Sequence, residues 1–77
     1  NMVEMKVLID SVEKVKEFVN ITCKANVDID IVSGRYVIDG KSIMGIFSLN
    51  LSEPMELNIH TDNDADSIVS ELKKFEA

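Results

Sequence analysis

The sequence is poor in the residues that build disulfide frameworks and metal centres, with one cysteine, one histidine and no tryptophan among 77 residues. Cys23 has no second cysteine with which to form an internal disulfide. Together with His60 it cannot supply the four ligands of a structural zinc site. These scarcities exclude a disulfide-stabilised scaffold and a zinc finger, and we expect neither a metal ion nor a cofactor.

Basic residues are also scarce, because eight lysines and arginines stand against fourteen acidic residues and leave a net charge of −6. Such a chain is repelled by a phosphate backbone, so we expect no general nucleic-acid binding and allow for basic partners. No apolar run reaches the roughly 18 residues of a membrane span, and no signal-peptide pattern opens the chain. We therefore expect a cytoplasmic protein without membrane insertion.

The chain does contain enough apolar material for a folded core, since 45% of its residues are hydrophobic. That fraction is normal for a globular protein and too high for a disordered one. Chains of this length rarely exceed one core, so we predict a single domain over residues 1–77. Asn1, before Met2, is expected to be a tag remnant without a structural role.

Four segments alternate apolar and polar residues, which predicts four half-buried strands. Ser33-Gly34 is predicted to form the tight turn of a hairpin between the second and third strands. Pro54 is predicted to open the fourth, where a missing N–H is tolerated. The apolar positions of the strands are Val3, Met5, Val7 and Ile9; Val27, Ile29 and Ile31; Tyr36 and Ile38; and Met55, Leu57 and Ile59.

Three other segments have helical periodicity. The first follows Asp10 and Ser11, both favourable N-caps, and Glu13 stands where the glutamate of a capping box after Asp10 would stand. The second, residues 42–51, is predicted as a helix of roughly two to three turns. The third, residues 64–75, begins after acidic residues that suit the positive end of a helix. The predicted buried stripes are Val12, Val15, Phe18, Val19 and Thr22 in the first helix, with Cys23 packed at its edge, and Ala65, Ile68, Val69, Leu72 and Phe75 in the last.

The resulting order is β-α-β-β-α-β-α. Clean alternation in all four strands predicts an antiparallel sheet with helices on one face and solvent on the other. The predicted fold class is therefore α+β, an open-faced two-layer sandwich with a four-stranded antiparallel sheet and three helices.

One stretch, residues 40–49, has the distinctive sequence G-K-S-I-M-G-I-F-S-L. Together with the element order it resembles HPr, the histidine-containing phosphocarrier of the bacterial sugar phosphotransferase system. The resemblance covers nearly the whole chain. It implies the HPr-like fold and a role in sugar transport or carbon-catabolite signalling.

The residues that carry the family's chemistry differ in this chain. By the resemblance, a histidine at the start of the first helix accepts phosphate from enzyme I, within a G-L-H-A-R-P-like motif. An ungapped alignment from Gly40 puts Ser11 at the histidine, Glu13 at the arginine, and Val12 and Lys14 at the alanine and proline. A serine hydroxyl needs a general base, its phosphoester is too stable to pass on, and Glu13 would repel the phosphate. We therefore expect no catalytic residue and no phosphocarrier activity, and we interpret Ser11 as an N-cap.

His60 lies on the last strand, out of phase with the apolar positions, and should point to solvent. A phosphocarrier that uses a displaced acceptor, either His60 or Ser11, is one of the alternatives.

Ser42 matches the serine that HPr kinase/phosphorylase modifies in Gram-positive members of the family, where the phosphoserine makes the protein a corepressor for a catabolite-control regulator. A phosphate at a helix N-terminus is electrostatically favourable. Ser42 can also be a simple helix cap, and the two roles are compatible.

The apolar residues after Ser42 cannot all be buried by so short a helix. We expect Ile46 and Leu49 to face the core. By the resemblance, Ile43, Met44 and Phe47 form the surface on which enzyme I, the kinase and the regulator dock, and exposed apolar side chains suit that role.

The first hypothesis is therefore an HPr-like protein that has lost its phosphoacceptor, acts by binding protein partners and is open to regulation through Ser42. Its partners would be HPr kinase/phosphorylase, a catabolite-control regulator or other components of the phosphotransferase system. A structural or interaction domain with no remaining phosphotransferase-system role is the alternative from a different class.

Overall fold

The computed structural model describes residues 2–63 and 66–77. Its element order is the predicted β-α-β-β-α-β-α, closed by a 3-10 turn. The bounds are β1 Val3–Val7, α1 Val12–Thr22, β2 Ile29–Ser33, β3 Tyr36–Asp39, α2 Ile43–Phe47, β4 Met55–Ile59, α3 Ser67–Leu72 and the 3-10 turn Lys73–Phe75. Among these residues no helix has both the length and the apolar character needed to cross a bilayer.

The four strands form one antiparallel sheet in the order β1-β4-β2-β3. Val3 pairs with Ile59 and Val7 with Met55, so β1 and β4 align over their full lengths. Strand β4 in turn pairs with β2, which places Ile31 opposite Leu57. The fold class predicted from the alternation is confirmed.

The core lies between one face of this sheet and the helices. The sheet supplies alternate residues of β1, β2 and β4, and the helices supply their apolar stripes. The rings of Phe18 in α1 and Phe75 at the C-terminal end meet edge to face, with centroids 5.5 Å apart and an interplanar angle of 74°, which favours the contact. The buried hydrophobic residues are Met5, Val7, Ile9, Val15, Phe18, Ile29, Ile31, Ile46, Met55, Leu57, Ile59, Ile68, Val69, Leu72 and Phe75.

The hairpin turn lies one residue later than predicted. Ser33 pairs with Tyr36, so the turn residues are Gly34 and Arg35, not Ser33-Gly34. Gly34 has φ +60°, a left-handed conformation in which glycine carries no Cβ penalty. Strand β2 also begins later than the sequence suggested, since Val27 is half-buried but lies before it.

Two helices are shorter than predicted. Helix α2 ends at Phe47 instead of residue 51. The amides of Ser48 and Leu49 donate to the carbonyls three residues back, Gly45 and Ile46, at 3.2 and 3.0 Å, and Ile46 is the one buried residue of this helix. Helix α3 begins at Ser67, where the Asp66 carboxylate accepts the Ile68 amide at 3.1 Å. The predicted helix positions Asp64 and Ala65 lie outside the described residues.

The burial stripe of α1 is narrower than predicted at its start. Val15, Phe18 and Thr22 are buried and Val19 is half-buried, whereas Val12 is 51% exposed. Val12 is the first residue of the helix, and the buried stripe begins three residues later, at Val15.

Candidate functional site

The start of α1 is the position at which the family resemblance expects a phosphoacceptor. Ser11 is the N-cap of this helix, with an extended backbone, and its Oγ accepts the amide of Lys14 at 3.1 Å. This contact satisfies one of the amide groups that a helix leaves unpaired at its start. The geometry predicted for Ser11 as an N-cap is confirmed.

Asp10 does not form the capping box that its spacing to Glu13 suggested. It lies one residue before the cap, and its Oδ1 accepts a hydrogen bond from Lys14 Nζ at 3.0 Å. That hydrogen bond, followed by the charge of Lys14, lowers the pKa of Asp10 below its ordinary value. The prediction was wrong because Ser11 takes the cap, which leaves the Asp10 carboxylate free to pair with a cation.

The surroundings of Ser11 are poorly suited to phosphoryl chemistry. Glu13 lies exposed in the first turn of α1 and adds negative charge two residues after Ser11, which disfavours an anion there. Among the hydrogen bonds of residues 2–63 and 66–77, none joins the Ser11 hydroxyl to a histidine or a carboxylate that could act as general base. The hydroxyl is therefore in a capping environment without an activating partner.

His60 is at the opposite end of the sheet from this helix start. Because Val7 pairs with Met55 and Val3 with Ile59, the residue after Ile59 lies near the beginning of β1, whereas Ser11 follows its end. The His60 side chain is exposed, as predicted, and its Nε2 lies 2.8 Å from Asp30 Oδ2 on β2. This cross-strand pairing has no signal in the periodicity of the sequence.

The start of α2 repeats the capping geometry of α1. Ser42 is the N-cap, with an extended backbone, and its Oγ accepts the amide of Gly45 at 3.2 Å. The capping role predicted for Ser42 is confirmed. A Cβ at position 45 would lie 3.1 Å from Ser42 Oγ and 2.8 Å from Ile38 Cγ2. A glycine is therefore required if α2 is to sit this close to β3 and to keep the cap.

The apolar residues of α2 divide much as predicted. Ile46 is fully buried, Leu49 and Ile43 are half-buried, Met44 is 79% exposed and Phe47 is 40% exposed. The side chains of Ile43 and Leu49 pack against the edge of the core. We refer to Ile43, Met44 and Phe47 together as the α2 patch. A methionine and a phenylalanine this open to solvent beside a polar helix start are suited to protein binding.

The end of α1 is tied to the segment that leads into α2, which sequence reasoning missed. The buried Thr22 hydroxyl donates to the Gly40 carbonyl at 2.8 Å, and Lys41 Nζ donates to the Ala25 carbonyl at 3.0 Å. The only sequence signal was a threonine on an otherwise apolar stripe. Cys23 was predicted as a packing residue, but it is exposed, with its Sγ 3.5 Å from the Lys41 carbonyl. That prediction was wrong because the helix ends at Thr22 and Cys23 is its C-cap.

A model of the family described as "PTS HPr component phosphorylation site" matches residues 13–77 of the chain. Among solved structures, the chain is similar to HPr-C-His from Thermoanaerobacter tengcongensis, with 24% identity, a TM-score of 0.78, and 95% of this chain and 89% of that chain covered. It is also similar to the phosphocarrier protein HPr from Bacillus anthracis str. Ames, with 22% identity, a TM-score of 0.75, and 99% and 98% covered. At these identities the structural likenesses establish the fold. A search of curated protein sequences returned no match.

Proposed function

The chain belongs to the HPr family of phosphotransferase-system proteins, and from this membership we propose that it acts by binding protein partners and does not relay phosphate. Its place would be in sugar transport or carbon-catabolite signalling in the cytoplasm. The action requires no enzymatic activity and no cofactor of its own.

The start of α1 supports the loss of the relay. A phosphohistidine forms and transfers readily because imidazole nitrogen is nucleophilic near neutral pH. The ungapped alignment puts Ser11 at that position, where its Oγ is engaged by the Lys14 amide, and the neighbouring Glu13 would oppose an incoming phosphate. His60 is remote from this helix start and is paired with Asp30, so it offers no substitute.

The observation on which partner binding rests is the α2 patch beside a capped serine. Met44 and Phe47 are the large apolar side chains of this helix that solvent reaches most. They lie within five residues of Ser42, on the shortest α-helix of the described structure. A partner that covers them would bury apolar area now in water, which favours association.

Ser42 would regulate that binding through phosphorylation. Its side chain is half-buried, and its Oγ already faces the Gly45 amide, a donor that a phosphate oxygen can use in its place. The added negative charge would stand at the positive end of α2, so modification need not unfold the helix. It would also stand beside Met44 and change how the α2 patch meets a partner. HPr kinase/phosphorylase, a catabolite-control regulator and phosphotransferase-system components are the partners we propose.

Incubation with HPr kinase/phosphorylase and ATP tests the regulatory part. We expect one phosphate on the wild-type chain, none on Ser42→Ala, and an unchanged level on Ser11→Ala, which matches the change at the other serine cap. Absence of phosphate on the wild type would instead favour an interaction domain in which this regulation has lapsed.

Incubation with enzyme I and phosphoenolpyruvate tests the loss of the relay. We expect neither an acid-labile nor an acid-stable phosphate on the wild-type chain. An acid-labile phosphate that disappears in His60→Gln, or an acid-stable phosphate that disappears in Ser11→Ala, would show that a displaced acceptor works after all and would overturn the proposal.

A further inference from the structure

The sheet has two edge strands, β1 and β3, and within the described residues the chain itself pairs with only β1 along its outer side. At the β1 edge, the Ala77 amide donates to the Lys6 carbonyl at 2.9 Å, and Val7 forms a bridge with Glu76. At the other edge, β3 pairs with β2 and with no further strand in the part of the chain that the structure describes. An unpaired edge can accept another strand unless lysine, proline or a covering segment protects it.

Strand β3 is short and carries one charged residue, Asp39, at its end, but it has neither a lysine nor a proline. Its sequence is Tyr-Val-Ile-Asp, and three of these four residues are of the types that favour strands. Tyr36 is 61% exposed and Val37 is 65% exposed. The edge is therefore apolar, open and predisposed to pairing.

The backbone of β3 presents free hydrogen-bonding groups outward. The Gly40 amide donates to the Ile29 carbonyl at 2.7 Å, which shows that Gly40 faces β2. In an antiparallel pair the residues alternate between facing the partner strand and facing away. The N–H and C=O groups of Val37 and the N–H of Asp39 consequently point away from the sheet, whereas the Asp39 carbonyl accepts the Ser42 amide at 3.0 Å.

We propose that β3 pairs antiparallel with β3 of a second copy of this chain, with Val37 on the two-fold axis. The two four-stranded sheets would then form one continuous sheet. This interaction is independent of the proposed phosphotransferase-system role, because it uses neither Ser42 nor Met44 and Phe47.

The register centred on Val37 is self-complementary. It puts Val37 opposite Val37 of the second copy as a hydrogen-bonded pair, because both residues direct their backbone groups outward. It puts Tyr36 opposite Ile38, beside a groove that Ile38 and Leu49 line on the helix face. It also puts Arg35, the second turn residue, opposite Asp39, and opposite charges across a strand pair favour it.

Charge identifies a second copy as the occupant. A strand that fits this edge needs an acidic residue opposite Arg35, a basic residue opposite Asp39 and apolar residues between them. Residues 35–39 of a second copy, running antiparallel to those of the first, have that arrangement. The chain's net charge of −6 opposes association at long range, and the edge is short. We therefore expect a weak dimer, half-populated at about 100 µM to 1 mM, at the small end of the range of interfaces.

Charge reversal at the two ends of β3 tests the register. In a dimer of Arg35→Asp, the new carboxylate at position 35 of each copy faces the Asp39 carboxylate of the other copy. In a dimer of Asp39→Arg, the new guanidinium group at position 39 of each copy faces the Arg35 guanidinium group of the other copy. We expect each variant to be monomeric in sedimentation equilibrium up to about 1 mM. An equimolar mixture of the two variants restores opposite-charge pairs, and we expect it to form a heterodimer. A wild-type chain that stays monomeric, or a dimer that neither change weakens, would overturn the proposal.

A second variant does not disturb the hydrogen bond that the Asp39 carboxylate accepts from the Lys41 amide. Val37→Lys places two ammonium groups on the axis, and we expect it to abolish the dimer and to keep the wild-type melting temperature. Met44→Lys, which adds the same charge to the α2 patch, should leave the dimer intact. In the wild type, exchange of the Val37 and Asp39 amides should slow as concentration rises. Equal effects of both lysine variants would show that the dimer does not depend specifically on Val37 and would refute the β3 register.

Discussion

The starts of α1 and α2 have the same local geometry in very different surroundings. Ser11 and Ser42 both adopt extended backbone conformations, and each accepts the amide three residues ahead, at 3.1 and 3.2 Å. Around Ser11 lie the charged side chains of Asp10 and Lys14, paired to each other. Beside Ser42 lies the exposed side chain of Met44. A serine at an N-cap therefore says little about function until its neighbours are considered.

The two helices also differ in what holds them in place. Helix α1 has eleven residues and is anchored by Val15, Phe18 and Thr22, all fully buried. Helix α2 has five residues and one buried anchor, Ile46. So short a helix is not stable alone, since its first turn costs more than its few hydrogen bonds return. Helix α2 must therefore depend on contacts made by its neighbours.

The largest effect that we predict is at the link between the two regions. Thr22→Val removes the buried hydroxyl that donates to the Gly40 carbonyl. We expect a loss of about 1–3 kcal/mol in the free energy of unfolding, because a buried acceptor loses its donor. Urea denaturation measures that loss, and the Ile46 amide should exchange its hydrogen faster than in the wild type.

Thr22→Ser is the matched control for this link, because it removes a methyl group and keeps the donor. It should leave the exchange of the Ile46 amide close to the wild-type rate relative to global unfolding. If both variants accelerate that amide equally, the hydrogen bond from Thr22 does not stabilise α2.

The difference between the two regions also shows where sequence reasoning succeeds. Alternation along residues 5–9 and 55–59 predicted buried strand faces, and the stripe through Val15 and Phe18 predicted a buried helix face. Such patterns are informative because the side chains on one face of an element share one environment. The serine caps were predictable for a similar reason, since they depend on a few adjacent residues.

Features that depend on distant parts of the chain could not be predicted in the same way. The contacts of Thr22 with Gly40 and of His60 with Asp30 join residues far apart in the sequence. The end of α2 was misplaced because residues 48–51 are compatible with either a helix or a loop. The packing of Ile46 in the core decides between them. Tertiary contacts thus overrode weak local preference.

Removal of the caps should have an intermediate effect that distinguishes the two helices. We expect Ser11→Ala and Ser42→Ala each to cost about 0.5–2 kcal/mol, the usual value of an N-cap. The Ser11 variant should lower global stability and leave α1 formed, because its buried anchors remain. The Ser42 variant should open α2 locally, which hydrogen exchange at the Ile46 amide detects.

Aspartate is the control at both positions, since its carboxylate is also a good N-cap. Ser11→Asp and Ser42→Asp should recover most of the lost stability. If Ser42→Ala left the hydrogen exchange of the α2 amides unchanged, the packing of Ile46 would be enough to keep the short helix formed. The two helices would then not differ in their dependence on the N-cap.

The smallest predicted effect concerns the ion pair found at the start of α1. The hydrogen bond and charge of Lys14 lower the pKa of Asp10, so its folded value lies below its unfolded one. The pair then contributes to stability above the ordinary aspartate pKa of about 3.9, and the contribution is lost as the pH falls through the lower, folded value. Lys14→Gln should raise the pKa of Asp10 towards its ordinary value in an NMR titration of the carboxyl group.

Lys16→Gln removes the same charge from the same helix without touching Asp10, so it should leave that pKa nearly unchanged. Equal shifts in both variants would mean that the general field of the helix, and not the contact with Lys14, sets the titration of Asp10.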